Sequence, residues 1–255
     1  MIKRGQITIF IILGVIVLLM FGGAVFFLQY SSKSKLDLQR EQVDSVSGEA
    51  AAVKVFVEDC LKKTLQEAIP YVAEYGGYYQ LPEFSSQKAY KNAPFYFYQG
   101  KKLVPSKKEV EDAVSQYIFY NLSTCLNNFK NFLFEINFGE AKVETNLGKG
   151  AVSVKLSLPL EINLPSKKIN LDTFQTIQNS PLYLLWESSE KMADSIIQYS
   201  GGICLDCLSE LAEKNNFDLQ IIEFNKNETF FILSNEKKTA GKNASIHWRF
   251  AVKYG

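Results

Sequence analysis

The chain has 255 residues, of which 47% are apolar and 22% are charged; these proportions are ordinary for a folded protein and exclude a largely disordered one. Its 28 basic and 27 acidic residues balance to a net charge of +1 and form no basic stripe, which argues against nucleic acid as a partner. The single histidine limits Ser–His or Cys–His catalysis to one base and argues against a Cys/His zinc site. We therefore expect neither a metal nor another cofactor.

The first element along the chain is an uncharged apolar run from Ile7 to Tyr30. A helix needs about 20 apolar residues to cross the hydrocarbon core of a bilayer, so the run predicts a transmembrane helix over 7–30. A cleaved secretory signal has a shorter apolar core followed by small residues, whereas this run is long and ends in the bulky sequence FFLQY. The lipid bilayer is therefore the first expected partner.

The side of the membrane on which each part lies follows from other features. Residues 1–6 are too few to form a domain, so we expect them in the cytoplasm and residues 31–255 outside the cell. Three N-glycosylation sequons, at Asn121, Asn227 and Asn243, and an even number of cysteines suit an oxidising exterior. The expected protein is a single-pass protein of the cell membrane with an extracellular C-terminal domain.

The residues before the apolar run resemble a known type of leader. Lys3-Arg4-Gly5-Gln6, followed at once by the run, resembles the class III signal peptide of archaeal type IV pilin-like proteins. The resemblance implies that a dedicated signal peptidase cuts after Gly5, which makes Gln6 the mature N terminus. It also implies that the helix can pack against other pilin-like subunits. Many pilins carry Glu at the fifth mature position, where this chain has Phe10.

The exterior part begins with a polar segment, 31–48, which predicts a stalk or linker. Residues 49–255 predict an α+β domain, either undivided or with two subdomains, 49–130 and 131–255. Its cysteine-bearing helix followed by Gly76-Gly77-Tyr78 resembles an uncharacterised group of archaeal membrane-anchored surface proteins. That resemblance implies no activity.

Apolar residues at spacings of three and four predict amphipathic helices over 49–76 and 106–127. Pro70 is expected to kink the first helix or to end its regular part. Ser106 and Glu109 form the capping-box pattern at the start of the second helix.

Strand-like patterns follow. Alternation between 131 and 174 predicts an antiparallel meander. Ser180 is a suitable N-cap for a helix that begins at Pro181, and a shorter helix is expected over about 204–214. Two or three strands are expected to close the chain, over 218–224, 229–233 and 244–254. The expected fold class is α+β, with amphipathic helices packed on antiparallel sheet.

Two cysteines, Cys60 and Cys125, fall on the apolar faces of the two predicted amphipathic helices. If these helices pack together, a disulfide can join them. The alternative is two buried free thiols that behave as small apolar side chains.

The second pair, Cys204 and Cys207, forms a C-x-x-C motif at the predicted start of a helix. Helix N-terminal amides stabilise a thiolate, and thiol–disulfide oxidoreductases use this arrangement. Asp206 opposes it, because a carboxylate beside the thiols disfavours a second negative charge. A structural disulfide, redox activity, metal binding, free thiols and pairing with the other two cysteines all remain open.

An aromatic window and the single histidine are the two remaining features of the exterior part. The aromatic residues between 78 and 98 can form a platform for a glycan or another surface protein, or can cover one edge of the core. His247 alternates with Ile246 and Trp248, which places it on the outer face of a strand with Arg249. No acid–base pair is evident.

The expected function is that of a membrane-anchored surface protein without catalysis, acting as a pilin-like structural subunit or as an adhesion and interaction module. One alternative is a membrane-anchored thiol–disulfide protein that uses the C-x-x-C motif. Another is an exported enzyme or assembly factor whose site the sequence does not reveal.

Overall fold

The computed structural model describes residues 48–86, 92–198, 204–239 and 242–254. Contacts divide the chain into two units, Met1–Ala52 and Val53–Gly255, and the second holds every strand of the described ranges. The predicted leader, the transmembrane helix over 7–30 and the predicted stalk up to residue 47 lie outside the described residues. Within the described ranges, no helix is long and apolar enough to cross a membrane.

The described part contains four α-helices: α1 (Gly48–Glu74), α2 (Lys107–Leu126), α3 (Leu182–Gln198) and α4 (Leu205–Lys214). The capping box at the start of α2 is confirmed: the Ser106 hydroxyl accepts from the Glu109 N–H, and the Glu109 carboxylate accepts from the Ser106 N–H. Helix α1 continues through Pro70, although proline removes one helical hydrogen bond. We attribute this to Val72 and Ala73, which are fully buried in the final turn.

Ten strands follow one another along the described chain: β1 (Ser85–Ser86), β2 (Ala93–Tyr98), β3 (Lys101–Lys102), β4 (Glu135–Phe138), β5 (Lys142–Leu147), β6 (Ala151–Asn163), β7 (Lys168–Asn179), β8 (Asp218–Asn225), β9 (Glu228–Thr239) and β10 (Lys242–Lys253). They form two sheets. The expected α+β class is confirmed.

The first sheet has the order β1-β2-β10-β9-β8, and β3 pairs with β2. Strands β8, β9 and β10 pair antiparallel in sequence, as the alternating pattern predicts. Strand β2 lies parallel to β10, although the two strands are far apart along the chain. One sheet thus joins segments from the two ends of the described domain.

The second sheet contains the predicted meander over β5, β6 and β7, and its central strand is β6. Strand β4 departs from the meander, because the 13-residue β6 is long enough to pair with both β4 and β5, and β4 pairs with β6 instead of β5. Strand β7 pairs along one side of β6, while β4 and β5 share the other side. Every second residue of β6 from Val152 to Ile162 is buried, because successive side chains of a strand point to opposite faces. Helix α2 packs on β5, and α3 contacts both β6 and the β2–β10 pair, so α3 connects the two sheets.

Gly76 and Gly77 end α1 and connect it to the first sheet. Both have positive φ, 57° and 89°, which favours glycine. Their N–H groups donate to the carbonyls of Ala73 and Val72, which would otherwise be unpaired at the helix end. The Gly76 carbonyl accepts from the buried Tyr96 hydroxyl at 2.8 Å, and that hydroxyl accepts from the Trp248 indole at 3.0 Å.

Candidate functional site

Five tyrosines from α1, α2 and the segment after α1 form a connected cluster, here called the tyrosine surface: Tyr71, Tyr75, Tyr79, Tyr117 and Tyr120. The rings of Tyr71 and Tyr75 stack with centroids 4.7 Å apart, and Tyr117 lies 4.8 Å from Tyr71. Tyr79 stacks on Tyr120 at 5.5 Å. Spacings of three and four residues place each helical pair on one helix face.

The helix faces next to the tyrosine surface are buried, and this sets its orientation. Val72 on α1 and Ile118 on α2 are fully buried, whereas Tyr120 keeps 61% of its surface exposed. The Tyr71 hydroxyl donates to the Tyr79 carbonyl at 3.1 Å, which ties the following segment to α1. Burial raises the pKa of the Tyr71 and Tyr117 hydroxyls, so both are protonated hydrogen-bond donors at neutral pH.

A disulfide joins the two helices that carry this surface. Cys60 and Cys125 are bonded, with their Cα atoms 5.6 Å apart. The neighbouring contacts, Phe56 with Phe129 and Tyr71 with Tyr117, advance in opposite directions along the chain. Helices α1 and α2 therefore run antiparallel. The disulfide that the sequence left as one alternative is present, and it restrains the helices relative to each other.

A cavity of about 310 Å³ adjoins the tyrosine surface at Tyr75, and its lining includes Glu74, Asn92 and Arg249. The Arg249 Nη2 atom lies 3.0 Å from a Glu74 carboxylate oxygen, and Arg249 is only 8% exposed. A guanidinium that has lost its water is stabilised by such a carboxylate. Strand alternation predicted Arg249 on an outer face. The structure differs because the C-terminal end of α1 lies against this part of β10.

The aromatic window between 78 and 98 does not form one platform. Tyr96 and Phe95 are buried in the first sheet, and of the aromatic residues that the structure describes in this window only Tyr79 joins the tyrosine surface. The sequence analysis did not identify the other four tyrosines of the tyrosine surface, because each lies in a helix whose apolar pattern predicted a face toward the core. The four-residue spacing of Tyr71 and Tyr75 is the signal that could have revealed them.

His247 is half-buried between two serine hydroxyls on the sheet. Ser234, directly opposite on β9, lies 2.8 Å from Nδ1, and Ser245 lies 2.9 Å from Nε2. The two hydroxyls orient the ring. Among the described residues, no three His, Cys, Asp or Glu side chains converge as a metal site would require.

The C-x-x-C motif lies at the start of α4, as its position in the sequence predicts. Cys204 is the N-cap residue, and its sulfur accepts from the Cys207 N–H at 3.3 Å. Cys204 and Cys207 are joined by a disulfide, with Cα atoms 5.3 Å apart. Both cysteines are partly exposed, and Leu205 between them is 58% exposed.

The three sequons differ in their surroundings. Asn227 lies exposed at the turn between β8 and β9, where its N–H donates to the Asn225 side chain. Asn121 lies within α2, half-buried, and its amide donates to the Tyr117 carbonyl at 2.8 Å. The side chain of Asn243 and the predicted processing residues Gly5 and Gln6 lie outside what the structure describes.

Comparison of the chain with protein-family models, with curated proteins and with solved structures finds no match.

Proposed function

We propose that this chain is a single-pass, membrane-anchored surface protein whose exterior domain acts as a pilin-like structural subunit or as an adhesion and interaction module without catalysis. The proposal depends on one observation, the tyrosine surface on two disulfide-linked helices. Tyrosine offers a large contact area with few rotatable bonds, so little entropy is lost when a partner binds. Restraint of α1 and α2 by the disulfide lowers that loss further.

The chemistry around the tyrosine surface favours binding over reaction. Its accessible groups are aromatic rings with hydroxyls, of which Tyr120 is exposed and the other four are half-buried, and the ionisable pair beside it, Glu74 and Arg249, is held in an ion pair. Rings flanked by hydrogen-bonding groups suit a sugar face or a polar protein surface. The partners that fit are other pilin-like subunits, another surface protein or a glycan.

Binding through the tyrosine surface is testable with the full chain reconstituted in vesicles. The probes are a second vesicle population carrying the same chain and an array of neutral and acidic oligosaccharides. Tyr79→Ala combined with Tyr120→Ala is expected to lower binding to at least one probe by roughly thirtyfold, since each stacking ring contributes about 1 kcal/mol. Ile177→Ala, an exposed apolar residue on β7, is the matched control. Equal binding by both variants would contradict the proposal.

The anchoring and processing part needs its own measurement. The N-terminal peptide of the protein extracted from its native membrane, identified by mass spectrometry, is expected to begin at Gln6. Cleavage there supports the pilin-like leader and the dedicated signal peptidase as a partner. A chain that still begins at Met1 contradicts the pilin-like interpretation and leaves a permanent anchor.

A second candidate function is that of a membrane-anchored thiol–disulfide protein. The observation that favours it is the Cys204 sulfur at the N terminus of α4, where the Cys207 N–H donates to it. Such contacts stabilise a thiolate in the reduced form. The reduced full chain would then reduce a test disulfide such as insulin, and Cys204→Ser would abolish that activity. Unchanged activity in Cys204→Ser contradicts this candidate.

A further inference from the structure

A second aromatic group lies apart from the tyrosine surface, where the start of the described domain meets the segment after α2. It is here called the phenylalanine patch: the rings of Phe56, Phe132, Phe134 and Phe138 are linked by contacts that include Phe129, and the exposed Val55 and Leu133 adjoin these rings along the chain. Leu133 has a relative exposure of 106%, and Val55 and Phe138 are both more than half exposed. The chain therefore leaves large apolar side chains in water, at an unfavourable free energy, in one region.

The patch is held in place by a buried ring beneath it. Phe129 is 4% exposed, and its ring lies 6.2 Å from that of Phe56 and 5.6 Å from that of Phe138. Asn127, Asn128 and Phe129 all have positive φ, between 45° and 55°, so the chain makes a left-handed turn after α2. Such a conformation is disfavoured for phenylalanine and persists only where packing enforces it. The turn that leads into the patch is thus held by the packing of Phe129.

The patch lies close to where the chain arrives from its predicted anchor. Val55 and Phe56 are the third and fourth residues of the unit Val53–Gly255. Residues 31–47, a stretch of 17, separate helix α1 from the apolar run that ends at Tyr30. A segment of this length spans roughly 26 Å if helical and at most about 58 Å if extended. The bilayer is therefore within reach, and a tether of this length keeps it at a high effective concentration.

We infer that the phenylalanine patch inserts into the interfacial layer of the bilayer that anchors the chain, and so fixes the orientation of the exterior domain on the membrane. The inference rests on the proposed single-pass anchor. Phenylalanine and leucine are the side chains that peripheral segments bury at the boundary between head groups and acyl chains. Lys54 and Lys130, exposed beside the patch in sequence, suit anionic head groups. Glu135 is also exposed there and limits insertion to a shallow depth.

The test places a fluorescent bimane label on the full chain in vesicles of phosphatidylcholine and phosphatidylglycerol. Leu133→Cys carries the label in the patch, and Ile177→Cys carries it on the exposed edge of the second sheet. A lipid with a quencher near its head group is expected to quench the label at position 133 roughly threefold more than that at 177. Iodide dissolved in the water is expected to quench the label at position 177 more than the label at position 133.

Flotation of the same vesicles separates the two proposals. If the chain floats and both labels respond alike, the patch does not contact lipid and the inference is overturned, while the anchor stands. If the label at position 133 is protected from iodide but is not quenched by the lipid, a second copy or another protein covers the patch. That result also overturns the inference. If the chain does not float, the anchor fails and the inference fails with it.

Discussion

Gly76 shows how much a single residue contributes to the placement of α1 on the first sheet. A Cβ at this position would collide with the Arg249 carbonyl oxygen and with the ring of Pro94. The close approach lets the Gly76 carbonyl accept from Tyr96, beside the buried Trp248 indole. Backbone conformation and space therefore both require glycine here.

Gly76→Ala is expected to lower the free energy of unfolding by about 3 kcal/mol, because it combines a disfavoured φ with a collision against backbone. Gly100→Ala is the matched control: its φ is 84°, yet nothing lies within 4 Å of the added Cβ. The free energy of unfolding of Gly100→Ala is expected to fall by only about 1 kcal/mol, because only the disfavoured φ contributes. Urea unfolding followed by circular dichroism measures both, and equal losses would show that the collision is relieved by movement of α1.

Tyr78 carries a pH dependence of stability. Its hydroxyl donates to the Leu103 carbonyl, and burial, with a smaller effect of the Glu109 charge, raises the pKa of Tyr78 to about 12. The unfolded chain has the ordinary pKa of 10.0 and releases its proton first as pH rises. Stability from this group is therefore complete below pH 10 and is lost between pH 10 and about 12.

Tyr78→Phe is expected to be slightly less stable at neutral pH, because the bond to Leu103 is lost, but to lose less stability between pH 10 and about 12. Urea midpoints across that range measure the effect. Tyr120→Phe, at an exposed ring, is the control and should follow the wild-type slope. A Tyr78→Phe slope equal to the wild type would show that other groups, such as the buried Tyr96, dominate alkaline unfolding.

At the scale of elements, the pairing of α1 with α2 is the feature on which both the proposed function and the further inference depend. The two helices run antiparallel, with the tyrosine surface toward one end of the pair and the phenylalanine patch toward the other. The disulfide between Cys60 and Cys125 lies between these two groups of contacts along α1. One covalent bond therefore restrains both surfaces.

The double variant Cys60→Ser with Cys125→Ser is expected to lose about 4 kcal/mol of unfolding free energy, since the disulfide closes a loop with a sequence separation of 65 residues. The bond between Cys204 and Cys207 closes a far shorter loop, so its double serine variant should lose about 2 kcal/mol on the same entropy model. Urea unfolding without reductant compares them. Equal losses would show that the long-loop bond strains the native helices.

At the scale of the whole molecule, both the membrane anchor and the exterior location of the domain are predictions from the sequence. The sequons offer a test, because glycans are attached only to chain segments exported from the cytoplasm. The structure ranks the two sequons whose side chains it describes. Asn227 is exposed at a hairpin turn, whereas the Asn121 amide is engaged within α2.

Asn227→Gln is expected to remove the mass of one glycan from the protein purified from its own cells, and Asn121→Gln is expected to leave the mass pattern unchanged. Intact-mass spectrometry before and after chemical deglycosylation checks both. A glycan at Asn121 would mean that it is attached before α2 folds. A protein with no glycan at all would remove this support for an exterior location.

Local patterns predicted the elements well because their causes are local. The Ser106–Glu109 capping box lies within one helical turn, and the alternation of β6 follows from the geometry of a strand. Long-range contacts could not be predicted from local patterns, because the parallel pairing of β2 with β10 and the burial of Arg249 depend on segments far apart in the chain. The left-handed backbone conformation of Phe129 was not predicted either, because packing and not the local sequence enforces its positive φ.

The sequence by itself determined the α+β class, the helix starts, the meander and an apolar run long enough to span a bilayer, since each depends on neighbours along the chain. Only the tertiary structure decided which cysteines pair, which tyrosines meet on one surface and which apolar side chains stay exposed. The physical reason is that the spacing of apolar residues along a helix or strand assigns each side chain to one face of that element. Which side chains pack on that face depends on residues that are distant along the chain and that come close only when the protein folds.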